Sequence, residues 1–312
     1  MGLFNALQGF CVIGIIILIG YIAARFHVGG PTAQMVLNRF SFFVSTPCLM
    51  FALLSKEQLS DVFKPSMLVA LLCATITGIV FLLLSRTVFH LDTADATVGA
   101  LVSMYMNANN IGLPVATYIL GDPAAVTPII LMQQVIFTPI ALTALDLSTK
   151  GRVSAKAILS QPLHQPILIG VLIGIAVSAT SDAAGWFIVP KYLYDPINIV
   201  GQSAVPLILM AFGMSLKGSR PLQGGNRAAT IASTLCKDLL MPALAFILAY
   251  FMMGFRGTDL YACVVLAALP CAQNVYNYAA RYDAGTEFAR DGVLLTTITS
   301  PIVIFAIAAL LG

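Results

Sequence analysis

From end to end the chain is a succession of apolar stretches, each about 20 residues long and almost free of charge. A helix of that length, rising about 1.5 Å per residue, crosses the roughly 30 Å hydrocarbon core of a bilayer. Only 9% of the 312 residues are charged and 59% are hydrophobic, where soluble domains carry about a quarter charged residues. The expectation is an all-α integral membrane protein. Ten transmembrane helices are predicted, near residues 4–24, 37–55, 66–89, 96–121, 124–145, 162–181, 193–216, 229–254, 258–280 and 290–311. No Lys or Arg precedes Arg25 and no small-residue cleavage site stands out in the run from Phe10 to Ala24, so the first stretch reads as a retained span.

Two of these stretches are interrupted by Asn, Gly and Pro: NANNIGLPV from Asn107 to Val115, and ALPCAQNVYNYAARYD from Ala268 to Asp283. Hydrocarbon offers no partner for a freed N–H or C=O, so broken backbone is tolerated there only beside protein or a solvated cavity. Broken helices in corresponding places of two halves point to a transporter's substrate site.

The halves are legible in the charges and in a weak repeat. With the N-terminus outside, the inner connections hold Arg25, Arg39, Arg86, Lys150, Arg152, Lys156, Lys217, Arg220, Arg227, Arg281 and Arg290. The outer ones hold Lys56, Lys64, Lys191 and Arg256. This bias places both termini outside, with an even number of spans. The basic connection around 146–161 separates a first five-helix half, 1–145, from a second, 162–312, which an odd span count inverts. Pro47 and Pro206, and the Asn109–Asn110 and Gln273–Asn274 pairs, are each separated by about 160 residues. Proline is common in membrane helices and apolar runs look alike, so the matching interruptions carry this repeat more than the prolines do.

In the fourth span Asn107, Asn109 and Asn110 precede Gly112 and Pro114, and the helix is expected to stop and restart there. A restart exposes unpaired N–H groups at a positive dipole end, suited to a carboxylate, while the carbonyls of the preceding half-helix suit a cation. Pro270, Gln273, Asn274 and Asn277 repeat the arrangement in the ninth span. The plainer reading, amides as interhelical glue at about 0.6 kcal/mol each, explains a single Asn better than two clusters beside Gly and Pro. Of Gln133 and Gln134 in the fifth span, one is expected at the cavity and the other in packing.

Lys237 and Asp238 are adjacent opposite charges within a span. Neighbours on a helix do not face each other, so each is expected to find its own partner, as a coupling or supporting group. A helix starting later would instead let Lys237 snorkel to the surface. Tyr276, Tyr278 and Tyr282 either close a cavity or pack, with packing expected for at least two of them, and His27, His90 and His164 read as interfacial residues. The six cysteines lack ligand spacing and read as small buried hydrophobes, with no metal or disulfide. No nucleophile elbow, phosphate loop or paired-carboxylate motif supports an enzyme.

NNIGLPVATYILG, KDLLMPAL, ALPCAQNVYNYAARYD and LLTTITSP together resemble the auxin efflux carrier family, particularly its bacterial branch of malonate and other dicarboxylate carriers. The resemblance covers nearly the whole chain. It implies a five-plus-five inverted repeat with crossed, broken helices 4 and 9, a scaffold of helices 1, 2, 6 and 7, and a moving bundle of helices 3–5 and 8–10. Asn109 or Asn110, and Asn274 or Asn277, would then meet a substrate carboxylate near Pro114 and Pro270. The long central loop of the plant members is absent here.

The function expected is secondary active transport of a small organic anion by alternating access, in a bacterial inner membrane. No cofactor is expected beyond a coupling H+, for which Asp238 is the titratable candidate, or Na+ on half-helix carbonyls. Expected partners are the anion and the lipid bilayer, with a homodimer left open and no nucleic acid. The alternative is a sodium- or proton-coupled carrier of the bile-acid symporter or antiporter type, although antiporters of that kind place acids, not amides, at the crossing.

Overall fold

The computed structural model describes residues 2–56, 65–150, 165–215, 222 and 226–312. Lys64, Arg152, Lys156, His164, Lys217, Arg220 and most of the 146–161 connection lie outside them. The described chain forms α1 (Gly2–Arg25), α2 (Ala33–Leu54), α3 (Ser66–Thr87), α4 (Thr93–Met104), α5 (108–120) and α6 (Pro123–Thr149). It continues through α7 (Pro166–Ala184), α8 (Lys191–Ser215), α9 (Arg227–Met252), α10 (Gly257–Ala267), α11 (Gln273–Tyr282) and α12 (Thr286–Leu311). Seven of these, α2, α3, α6, α7, α8, α9 and α12, are long and apolar enough to cross a membrane, and Cys11–Arg25 and Gly257–Ala267 are shorter apolar helices. Large apolar side chains such as Leu18, Leu83, Ile173, Ile302 and Leu310 point outward. Exposed to water they would forfeit about 25 cal/mol per Å², and a multi-pass protein covers them with lipid.

α1, α2, α7 and α8 pack with their backbones close. A Cβ on Gly213 would run into the carbonyl of Ile17, and one on Gly170 into that of Pro47. Small residues serve membrane helices in this way, since dispersion replaces the hydrophobic effect between them. Ser45 and Ser203 share a 2.8 Å hydrogen bond, and the Tyr194 hydroxyl donates to Ala52 O at 3.0 Å.

Four helices widen by one residue per turn just before a proline. The widened turns Ser41–Ser45, Ala108–Gly112, Gln133–Phe137 and Cys236–Leu240 precede Pro47, Pro114, Pro139 and Pro242. Proline has no N–H for the carbonyl four residues back and its ring crowds that carbonyl, so the turn opens to an i→i+5 bond. Three of the four carry the polar doublets: Asn109–Asn110, Gln133–Gln134 and Lys237–Asp238.

The two interruptions exist, but the first lies earlier than Gly112 and Pro114. α4 ends at Met104, Tyr105 is extended, and Asn107 caps α5, so Gly112 and Pro114 sit inside the restarted helix. What breaks the backbone is pairing with the other interruption: Met106 and Cys271 form an antiparallel bridge. Gly112 itself is right-handed and supplies room. Its added Cβ would stand 2.8 Å from Leu269 Cδ1 in the second break.

Candidate functional site: an acid-free cavity at two helix starts

At the meeting point Asn107 N–H donates to Pro270 O at 2.8 Å and Ala272 N–H to Tyr105 O at 3.1 Å. The first turns of α5 and α11 therefore start side by side. Asn107 Oδ1 accepts from Asn110 N–H at 3.0 Å, an N-cap, and Asn109 Nδ2 donates to Asn110 Oδ1 at 2.8 Å. The first turn of any helix leaves N–H groups without intrahelical partners and carries partial positive charge.

A cavity of about 310 Å³ opens against both starts, lined by Asn107, Asn109, Asn110, Gln273, Asn274 and Asn277 together with Gln133 and Gln134 of α6. Across it stand Asn38 and Arg39 of α2 and Ile167 of α7. A second cavity of about 390 Å³ shares Asn38, Asn107, Asn110, Gln273 and Asn277, and adds Gln34, Ser215, Thr297 and Arg290. Among the described residues no Asp or Glu lines either one, and each holds one Arg, of which Arg290 is paired through Nε with Asp291 Oδ1 at 3.0 Å. The buried atoms Asn109 Oδ1, Gln133 Oε1 and Gln134 Oε1 have no hydrogen-bond partner, nor does Arg290 Nη2. Groups of this kind are costly to bury unpaired; they belong to residues of the cavity wall, so a small side-chain rotation brings them to a ligand or water. Beneath the cavity the hydroxyls of Tyr105 and Thr138 stand 2.8 Å apart and those of Thr138 and Tyr278 3.3 Å apart, tying α6 to both breaks.

A third pocket, about 320 Å³, lies among the starts of α3 and α6 and along α10 to its end at Ala267. Its charged lining residues are Asp122 and Asp259. The electrostatic contrast is sharp, since the amide cavities suit an anion and this pocket does not.

Residues 10–158 and 148–307 match the model of the membrane transport protein family. The chain belongs to that family. It is 25% identical to an uncharacterized transporter of Methanocaldococcus jannaschii, over 94% of each chain. A Rhizobium meliloti protein named "Putative malonate transporter" is 28% identical, over 91% of this chain and 89% of that one. The likeness to auxin efflux carriers holds as well: a protein of Oryza sativa subsp. japonica named "Probable auxin efflux carrier component 9" is 31% identical, over 40% of this chain and 29% of that one. The chain is thus a multi-pass membrane transporter, and its relatives are transporters rather than enzymes.

The structure gathers the expected residues unevenly. Asn107, Asn109, Asn110, Gln273, Asn274 and Asn277 converge on the cavities, and both Gln133 and Gln134 line the first, where one was expected in packing. Pro114, Pro270 and Gly112 are buried behind this wall and line neither cavity. Lys237 and Asp238 line neither cavity either. Lys237 is 0% exposed, which removes the snorkelling reading. Each has its own partners: Lys237 donates to Ala267 O at 2.7 Å and Met241 Sδ at 3.3 Å, while Asp238 accepts from Thr299 and from Ser300 at 3.2 Å. Tyr276 lines the second cavity, and Tyr278 and Tyr282 are buried. His27 and His90 sit in connections with positive φ. The cysteines are all free thiols; four are buried as expected, while Cys48 is half-buried and Cys11 exposed. Among the described residues no His, Cys, Asp and Glu group could hold a metal.

Sequence reasoning missed Asn38 as a lining residue and treated Arg39 and Arg290 as connection charges. The Thr296, Thr299 and Ser300 stripe was a usable signal: hydroxyls spaced three or four apart fall on one helix face.

Proposed function

We propose that this transporter moves a small organic anion, a carboxylate such as malonate, by alternating access. The single observation that carries this is the acid-free cavity bounded by two helix starts. Two positive dipole ends, the six amide side chains of the breaks and Arg39 supply donors and charge to a carboxylate, and Arg290, paired with Asp291, adds a donor at the second cavity. The substrate-contacting residues in this reading are Asn107, Asn109, Asn110, Gln273, Asn274 and Asn277, with Gln133 and Gln134 in support. Gly112, Pro114 and Pro270 shape the backbone that presents them. The malonate in the name of the Rhizobium meliloti relative supports the carboxylate class.

In the same reading α4 with α5, and α10 with α11, are single broken spans, giving ten in two inverted halves, 1–145 and 162–312. α1, α2, α7 and α8 form a scaffold, and the other segments a bundle that slides against it. The lining fits such a seam: Asn38, Arg39, Ile167 and Ser215 face the amides from the scaffold side. The basic bias of the connections supports both termini outside a bacterial inner membrane. Moving each negative charge inward against 100 mV costs about 2.3 kcal/mol, so export runs downhill and import needs a steep gradient or a cotransported cation. Amides without acids at the two breaks favour an anion carrier over an antiporter of the sodium or proton type.

The test is uptake of radiolabelled malonate, succinate and acetate into proteoliposomes with and without an opposing membrane potential. Saturable uptake that answers to the sign of the potential is expected. Flux of cations or uncharged solutes with no carboxylate flux would overturn the proposal.

A further inference from the structure

The carbonyl end of α10 is built to hold a cation. The last helical residue is Ala267, whose carbonyl would ordinarily bond to the N–H four residues on. That donor, Cys271, turns away to Thr296 Oγ1 at 3.0 Å, and Pro270 has no N–H to offer instead. A half-helix C-terminus left open in this way carries partial negative charge, and in broken membrane helices such ends coordinate Na+. Here the position is taken. Lys237, fully buried on the widened turn of α9, reaches across to place its ammonium 2.7 Å from the Ala267 carbonyl oxygen.

The surroundings are those of a cation site as well. The adjacent Asp238 supplies the counter-charge, held by the hydroxyls of Thr299 and Ser300 on α12. On another side, the pocket that contains Asp122 and Asp259 includes Ala267 in its wall, so two further acids lie on the same cavity as the end of α10. A pocket whose acids attract cations thus lies beside a place where the chain has put one of its own.

We propose that the Lys237 ammonium is a tethered monovalent cation, filling the site at the carbonyl end of α10 that a free Na+ would otherwise occupy, and that anion transport consequently needs no Na+ there. Lys237 is a positioning residue in this scheme, since it touches no cavity but holds the end of the half-helix whose continuation, α11, carries Gln273, Asn274 and Asn277. Removing it opens a vacant site that free Na+ or methylammonium fills. A purely structural lysine would leave no such selectivity, because its loss would weaken the protein equally in every salt.

The experiment measures thermal stability of the purified full-length protein in NaCl, methylammonium chloride and choline chloride at one ionic strength. Wild type and Lys237→Arg are expected to melt at the same temperature in all three. Lys237→Ala is expected to gain about 5 °C or more, saturably, from Na+ or methylammonium over choline. Lys237→Ser, whose side chain is too short to reach the carbonyl and so leaves the site open, serves if the alanine variant does not fold. Saturable stabilisation of the wild type by Na+, or neutral variants that respond to no cation or fold in none of the salts, overturns the proposal. A transport arm rests on the carrier reading: malonate uptake by wild type should differ by less than about twofold between Na+ and choline. If the wild type carries no malonate, the substrate reading fails while the stability arm still decides the role of Lys237.

Discussion

Asn107 N–H donates to the carbonyl of Pro270 at 2.8 Å, and this bond joins residues 163 positions apart at the one place where both half-helices are open. Main chain satisfies main chain there, so the freed groups that hydrocarbon cannot solvate are partly paired before any solute arrives. In the first turns the N–H groups of Ala108, Asn110 and Ile111 are bonded to Met106 O, Asn107 Oδ1 and Asn107 O, and that of Val275 to Ala272 O, while the amide side chains line the cavity.

Asn107→Asp keeps the cap and adds a charge. An aspartate accepts from Asn110 N–H as the asparagine does, but the position is buried, so desolvating the carboxylate is expected to cost about 1–3 kcal/mol of stability. The added negative charge repels an anion in the cavity, and at close range about 1.4 kcal/mol, a tenfold loss of uptake, is the smallest effect expected. Proteoliposome uptake beside a melting curve checks both halves.

Gly112→Ala should destabilise the meeting of the breaks by about 1–3 kcal/mol, because the new methyl falls 2.8 Å from Leu269 Cδ1 and 3.1 Å from Asn107 O. Leu269→Ala alone leaves a cavity and costs about 2–5 kcal/mol. Combined, the two should cost less than their sum, since the small side chain makes room for the methyl. Additive losses in denaturation midpoints would contradict this contact.

Thr138→Val removes the hydroxyl between Tyr105 and Tyr278 and keeps the shape. A loss of about 1 kcal/mol is expected, with Thr138→Ser close to wild type. Melting curves of the two variants provide the check.

Arg290→Gln keeps a donor in the second cavity but removes its charge. If the guanidinium draws a second carboxylate, KM for malonate should rise about tenfold and KM for acetate much less. Equal changes for both anions would place Arg290 in the fold and not in recognition.

The membrane class, the two interruptions and nearly all the cavity amides were readable because their causes are local: apolar length, and polar side chains where lipid tolerates none. The position of the first break was not readable. Gly112 and Pro114 mark a widened helical turn, and the backbone parts at Tyr105 only because Ala272 and Pro270 are there to pair with it. Proline was in fact more informative than it looked. Asn109–Asn110, Gln133–Gln134 and Lys237–Asp238 all stand four to six residues before a proline, on turns that the missing N–H opens. The partners of Lys237 and Asp238 were out of reach for another reason, since α10 and α12 bring them from about 30 and 60 residues away.

The most direct measurement is the position of malonate in a cryo-electron microscopy structure of the full-length protein saturated with it. Density is predicted between the starts of α5 and α11, within hydrogen-bonding distance of Asn107 or Asn110 on one side and Gln273 or Asn277 on the other. Bound malonate outside that wall, in the pocket beside Asp122 and Asp259 or on the lipid face, would contradict an anion site at the two helix starts.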